Sequence, residues 1–462
     1  MTHPQALPRE TICDALEAVY CLTLLRDVVA SAPAQAVLKL LQALVAREPD
    51  ATTIAQAYSY AFAALAEATQ SEGLPASVPD VWQAYLVTRL VDSENTWSVQ
   101  AEMFGVDAIG AGTREQARRD LRVLQRLFVL HAESLWETAR TLVAQSFPNM
   151  HDAWMPWLDL APTQREGATP RDTLIRALVA ANEWEKQHNV LERYWATQGT
   201  GLFARYCVFR WQGHAEGLRG IVAPDPIGLA NLIGYEREKA RLRANLENFV
   251  RGLPAHDTVL YGAPGTGKSS TVKALANAYT ARGLRLIEVR KEHISDLPII
   301  IDRLRRHAPH FLLFIDDLSF DEHETEYKAL KVFLEGTVEM RPRNVLIYAT
   351  TNRLNLIREN FADRGKPSED VHWRDTLDEK ASLVARFGLR VTFMTPDQTQ
   401  YLHIVLGLAQ QRGLTLVEED LKAYALTWER QHTGRSGRLA RQFIDELVAL
   451  QSGKSDETFT GA

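Results

Sequence analysis

Residues 262–269 read Gly-Ala-Pro-Gly-Thr-Gly-Lys-Ser, and no other run constrains the chain so tightly. It fits G-x-x-x-x-G-K-[ST] at every fixed position. The preceding stretch, 257–261, reads as a short strand, and 268–281 reads as a helix. Strand, glycine-rich loop and helix in that order make a βα turn whose backbone N–H groups point inward around an anion, with the helix dipole favouring negative charge. Gly262, Pro264, Gly265, Thr266, Gly267, Lys268, Ser269 and Ser270 are the candidate cradle for the phosphates of a nucleotide. Lys268 supplies a point charge for the β- and γ-phosphates. The Ser269 hydroxyl is a candidate Mg²⁺ ligand.

A loop of this type needs a parallel sheet behind it. Further strands are expected at 284–289, 311–315, 344–349 and 391–393, with helices at 298–307 and 324–335. After Pro396 the pattern is helical only, at 398–411, 418–430 and 437–450, and the polar residues 452–462 are expected to fray. Phe311-Leu-Leu-Phe-Ile-Asp-Asp317 is an apolar strand that delivers two carboxylates at its C-terminal end, the edge where ligands sit in open α/β sheets. Asp316 is placed to hold Mg²⁺ through water, and Asp317 to orient an attacking water. Leu346-Ile-Tyr-Ala-Thr-Thr-Asn352 ends the next strand, and the Asn352 amide is a candidate for contact with the γ-phosphate or the water. His323 reads as an exposed loop histidine without a role.

Ahead of this region the chain changes character. Residues 1–220 hold 19 lysines and arginines against 25 acids, so the net charge of -6 falls there, while 221–462 balances 33 against 33. The first part has only two lysines, Lys39 and Lys186, and eight of the ten tryptophans. With Val222-Ala-Pro-Asp-Pro-Ile-Gly228 as a linker, this shift argues for a boundary near 220. Helical periodicity is expected at 13–29, 33–46, 53–69, 114–144 and 173–195. Arg118, Arg119, Arg122 and Arg126 read as a solvated face, with phosphate binding as the sharper alternative.

At 46% apolar and 24% charged residues the composition is that of a globular protein, which excludes collagen-like and wholly disordered classes. A net charge of -6 excludes a polycationic nucleic-acid binder, and no helix-turn-helix or zinc-finger spacing is present. Cys13, Cys21 and Cys207 cannot staple a chain of 462 residues and point to a reducing compartment. The start lacks a signal-peptide pattern, and no stretch of about 18 apolar residues exists, so a cytoplasmic protein without a membrane span is expected.

Residues from about 226 to 450 resemble an AAA+ ATPase module, on the phosphate loop, the Asp316–Asp317 strand, the Ala-Thr-Thr-Asn352 strand end and the helical segment after them. Leu312-Leu-Phe-Ile-Asp-Asp-Leu-Ser-Phe320, Ala349-Thr-Thr-Asn-Arg353 and Ala385-Arg-Phe-Gly388 resemble bacterial predicted ATPases known mainly as a domain of unknown function, similar to the replication-initiator and helicase-loader clade. The resemblance implies an α/β core (221–395) with an α-helical lid (396–451), preceded by an all-α domain (1–220). It implies that Ile233 and Gly234 pack on adenine, and that Arg386 acts as an arginine finger in a neighbouring subunit, with a helix-end cation as the alternative. Arg438 is implied as the lid arginine, competing with Arg435 and Arg441. Similar proteins bind MgATP and form homo-oligomers. Most vigorous members carry Glu where this chain has Asp317, one methylene shorter, so slow turnover is expected. The expected function is an ATPase that assembles and remodels or loads a protein or nucleic-acid partner through its helical first part. The alternative is an ATP-gated scaffold in which hydrolysis only resets assembly.

Overall fold

The computed structural model describes residues 5–144, 146–147, 154–160, 169–319, 330–331, 334, 342–352, 386–414, 416–432 and 434–453. It forms two compact units, Met1–Arg205 and Tyr206–Ala462.

The first unit is helical, and several of its helices open on a side-chain cap. Asp50 accepts from the Thr53 N–H at 2.8 Å to open Ala51–Ser71, and Asn95 opens Thr96–Phe104 with a capping box. Three helices expected as continuous are interrupted, each by a tertiary hydrogen bond that local periodicity does not encode. The expected 13–29 helix splits into Arg9–Val19 and Arg26–Val29, because the buried Asp120 carboxylate takes the N–H groups of Thr23, Leu24 and Leu25 at 3.0, 2.7 and 3.0 Å. The expected 114–144 helix splits into Ala111–Phe128 and Ala132–Ala144. There Trp82 and Gln83 donate to the carbonyls of Leu127 and Phe128, and Asp80 accepts from the Ala132 N–H. The expected 173–195 helix becomes Pro170–Ala180, a 3₁₀ turn Trp184–Gln187 and His188–Gln198, with the Trp184 N–H held by Gln125. Trp82, Trp97, Trp157, Trp184 and Trp195 are fully buried and anchor this core. On the arginine face, Arg118 and Arg119 pair with Glu115, and Arg122 pairs with Glu185, so it is an ion-paired surface.

The second unit is built on a seven-stranded sheet of order β2-β1-β4-β5-β6-β3-β7. The strands are β1 (Val208–Trp211), β2 (Leu218–Gly220), β3 (Thr258–Gly262), β4 (Leu284–Glu288), β5 (His310–Ile315), β6 (Val345–Thr351) and β7 (Leu389–Phe393). All neighbours are parallel, as expected, except the β1–β2 hairpin, which adds an antiparallel edge that the sequence reading did not foresee. The hairpin also shifts the boundary expected near 220. Phe209 pairs with Ile287 of β4, so residues 208–220 extend the sheet although their composition resembles the helical part.

The helix Glu236–Val250, also missed by sequence reasoning, packs Leu242, Leu246 and Phe249 into the core. Most of the expected 324–335 helix, His323 and residues 454–462 lie outside the described residues. The lid consists of Gln398–Gln411, Glu418–Gln431 and Gly437–Gly453, whose Tyr401, Ile404, Leu408, Phe443 and Ile444 share one apolar cluster with Leu260 and Val272. A P-loop α/β core with a helical lid, preceded by an all-helical unit, is the fold class the sequence implies. Among the described residues, no helix is long and apolar enough to cross a membrane.

Candidate functional site

The sheet order places β3 between β6 and β7, so the loop after β3 emerges beside the C-terminal end of β6, one strand from the end of β5. Gly262 has φ of 149°, and a Cβ there would lie 2.0 Å from the Phe393 carbonyl oxygen, so only glycine lets β3 pair with β7 and then turn. Gly265 has φ of 77°, and its carbonyl accepts from the Arg438 N–H at 3.1 Å, which joins the loop to the start of lid helix Gly437–Gly453. Lys268 opens the helix Lys268–Tyr279.

The Lys268 ammonium is buried and donates to the carbonyls of Gly262 and Ala263 at 2.8 and 2.9 Å and to Asn352 Oδ1 at 2.9 Å. Burial draws its pKa below the usual lysine value, Asp316 and Asp317 oppose that shift, and Arg438 adds to it. The Ser269 hydroxyl donates to Asp316 Oδ1 at 2.6 Å. Asn352 Nδ2 donates to Asp317 Oδ1 at 2.8 Å. Loop lysine, strand-end asparagine and second carboxylate thus form one hydrogen-bonded chain.

These groups line a cavity of about 550 Å³, within the size range of small-molecule sites. Its polar end holds residues 264–271, Asp316, Asp317 and Asn352, and its apolar end holds Ile233, Gly234, Ile404 and Leu408. Of the three lid arginines, Arg438 and Arg441 line the cavity, whereas Arg435 pairs with Glu429 at 3.3 Å. Arg386 is not brought into the cavity. It precedes β7, which runs parallel to β3 with Leu389 opposite Thr258, so it sits at the sheet edge away from the loop. Thr350, which sequence reasoning passed over, also lines the cavity, and its hydroxyl contacts Asp316. Only the register of β6 beside β5 reveals it.

The Ser269 hydroxyl and the Asp316 carboxylate lie 2.6 Å apart in the cavity, an oxygen donor pair that fits a hard cation bound through few protein ligands, as Mg²⁺ commonly is.

A family model described as "Protein of unknown function (DUF815)" matches residues 204–451. The chain is 24% identical over 253 residues to the 26S proteasome regulatory subunit 6B homolog of Schizosaccharomyces pombe, covering 45% of this chain and 65% of that protein. It is 27% identical over 191 residues to the Holliday junction branch migration complex subunit RuvB of Prochlorococcus marinus, covering 38% of this chain and 53% of that protein. It therefore spans less than two thirds of the length of either curated relative. Among solved structures, the Thermotoga maritima RuvB Holliday junction branch migration motor matches at 18% identity with a TM-score of 0.34, over 51% of this chain and 68% of that one.

Proposed function

The chain belongs to the family described as "Protein of unknown function (DUF815)" and is related to AAA+ ATPases, and on that premise we propose that it binds MgATP in the Lys268 cavity and hydrolyses it slowly to drive assembly and the remodelling or loading of a partner. The observation that carries this reading is the hydrogen-bonded chain from Lys268 through Asn352 to Asp317, beside the Ser269–Asp316 pair.

In the proposed reaction Lys268 exchanges its loop carbonyls for the β- and γ-phosphate oxygens, trading neutral acceptors for charged ones. Ser269 and Asp316 hold Mg²⁺, which when bound neutralises charge on the phosphates. Asp317 orients the attacking water, and Asn352 fixes that carboxylate through its amide. Ile233, Gly234, Ile404 and Leu408 receive the base at the apolar end. Arg438, with Arg441 beside it, approaches the phosphates from the lid.

Arg386, outside its own chain's cavity, completes the site of a neighbouring copy, which makes the active form a homo-oligomer. The helical first unit binds the partner. Kinship with the initiator and loader clade rests on the sequence resemblance, and a nucleic-acid partner rests on no motif. The cysteines Cys13, Cys21 and Cys207, all free, support a reducing, cytoplasmic setting.

A second reading, an ATP-gated scaffold with hydrolysis as a reset, is favoured by the short Asp317 carboxylate held by Asn352. Steady-state phosphate release, with and without proteins co-purifying with an Asp317→Asn trap, separates the two. Partner-stimulated turnover supports the motor, and partner binding that follows ATP occupancy without added turnover supports the scaffold.

A further inference from the structure

Thr350 lies on β6, between strands β5 and β3 of a parallel sheet, with only 1% of its surface exposed. Such positions favour Val or Ile. A hydroxyl there is costly unless it is bonded. The Thr350 hydroxyl is bonded to residues 316 and 317. Thr350 Oγ1 donates to Asp316 Oδ1 at 2.5 Å and accepts the Asp317 N–H at 3.0 Å, and the Thr350 carbonyl accepts the Leu318 N–H at 2.7 Å. Asp317 sits at φ of 51°, a left-handed conformation that an L-residue adopts at some cost and that these bonds hold in place.

We propose that Thr350 is a positioning residue for both carboxylates: its hydroxyl aims Asp316 at the metal position and locks the backbone that presents Asp317. The inference rests on the reading of the cavity as a MgATP site. Asp316 Oδ1 takes donors from Ser269, Thr350 and the Asp317 N–H, at 2.6, 2.5 and 3.2 Å. Ser269 must give up its bond when its oxygen turns to a cation, and the Asp317 N–H bond is long. Thr350 is then the short, buried contact that keeps the Asp316 carboxylate in place. A threonine on the neighbouring strand thus governs metal affinity and water orientation together, through its bonds to residues 316 and 317.

The test compares Thr350→Val, which keeps shape and strand preference but removes the hydroxyl, with Thr350→Ser, which keeps the hydroxyl and removes the methyl. ATP affinity is measured by calorimetry with and without Mg²⁺, turnover by phosphate release across a Mg²⁺ titration, and folding by thermal melting. Displacing the two carboxylates by about 1 Å is expected to cost on the order of 100-fold in turnover. Thr350→Val should therefore lose about that factor, need a higher Mg²⁺ concentration for half-maximal rate, and lose most of the tightening of ATP by Mg²⁺, while its Mg²⁺-free ATP affinity stays within about threefold of the parent. Thr350→Ser should recover most of the turnover and the parental Mg²⁺ requirement. If Thr350→Val does not fold, Thr350→Ala replaces it with the same expectations. A purely structural role would lower the melting temperature and leave the Mg²⁺ dependence unmoved, which would overturn the proposal. Equal impairment of Thr350→Ser and Thr350→Val would overturn it too. Absence of ATP binding by the parent defeats the nucleotide reading itself, whereas ATP binding that Mg²⁺ tightens equally in parent and Thr350→Val defeats only the role of Thr350.

Discussion

Asn352 donates its side-chain amide to Asp317 across 2.8 Å, linking the ends of the neighbouring strands β6 and β5. Its other side-chain atom, Oδ1, accepts from Lys268. One planar amide therefore sets the distance between the loop's cation and the Asp317 carboxylate, and the sheet fixes that amide. Asn352→Ala removes both bonds without adding bulk. Turnover should fall about 100-fold, as for a misplaced catalytic group. ATP affinity should weaken by less than about tenfold, because the loop and Lys268 remain. Calorimetry and phosphate release on one preparation check the split.

Lys268→Ala should behave in the opposite way, with affinity lost first. A hydrogen bond to a charged group contributes about 1.5–3 kcal/mol, so ATP binding should weaken by roughly 10- to 150-fold. The circular dichroism spectrum should stay at the parent's, since the lysine's bonds run to the loop and to Asn352 rather than to the apolar core. Equal ATP affinity in variant and parent would show that the cavity does not hold phosphates.

Gly262→Ala tests the architecture rather than the chemistry. The new Cβ would meet the Phe393 carbonyl oxygen at 2.0 Å, at a φ of 149°. Backbone strain alone costs more than about 1 kcal/mol, and the clash forces β3 and β7 apart. The melting temperature should drop by several degrees, and ATP binding should fall with it.

Arg386→Ala should keep ATP affinity near the parent's, since the residue lies outside its own cavity. It should lose turnover, because an arginine finger contributes roughly 10³- to 10⁵-fold in other nucleotide hydrolases. Mixed with Lys268→Ala subunits, it should form composite sites with activity that neither variant has alone. A mixture that hetero-assembles and stays inactive would make Arg386 a helix-end cation instead.

The loop, Asp316, Asp317 and Asn352 were legible because each sits at a strand end whose apolar run and punctuation are local in sequence. Arg438 was only half legible. It, Arg435 and Arg441 share one short stretch, and their division rests on the Glu429 pairing of Arg435 and on which side of the lid helix faces the loop. Thr350 was not legible as a site residue, because its partners lie 33 and 34 positions away and meet it only through the β5–β6 register. The long helices expected in the first unit failed for the same reason. Asp120 and Asp80 interrupt them from distant segments, and periodicity carries no trace of a hydrogen bond closed across 97 or 52 residues.

In the proposed function one chain supplies a nucleotide cavity and, in Asp317, the carboxylate that turns binding into hydrolysis. The most direct measurement is paired calorimetry and steady-state phosphate release on the parent and Asp317→Asn. The substitution keeps the side chain's size and leaves Asp316 and Ser269 untouched, so MgATP affinity should stay within about threefold while phosphate release falls at least about 100-fold. A parent that binds MgATP and releases phosphate no faster than Asp317→Asn would show that Asp317 does not couple binding to hydrolysis.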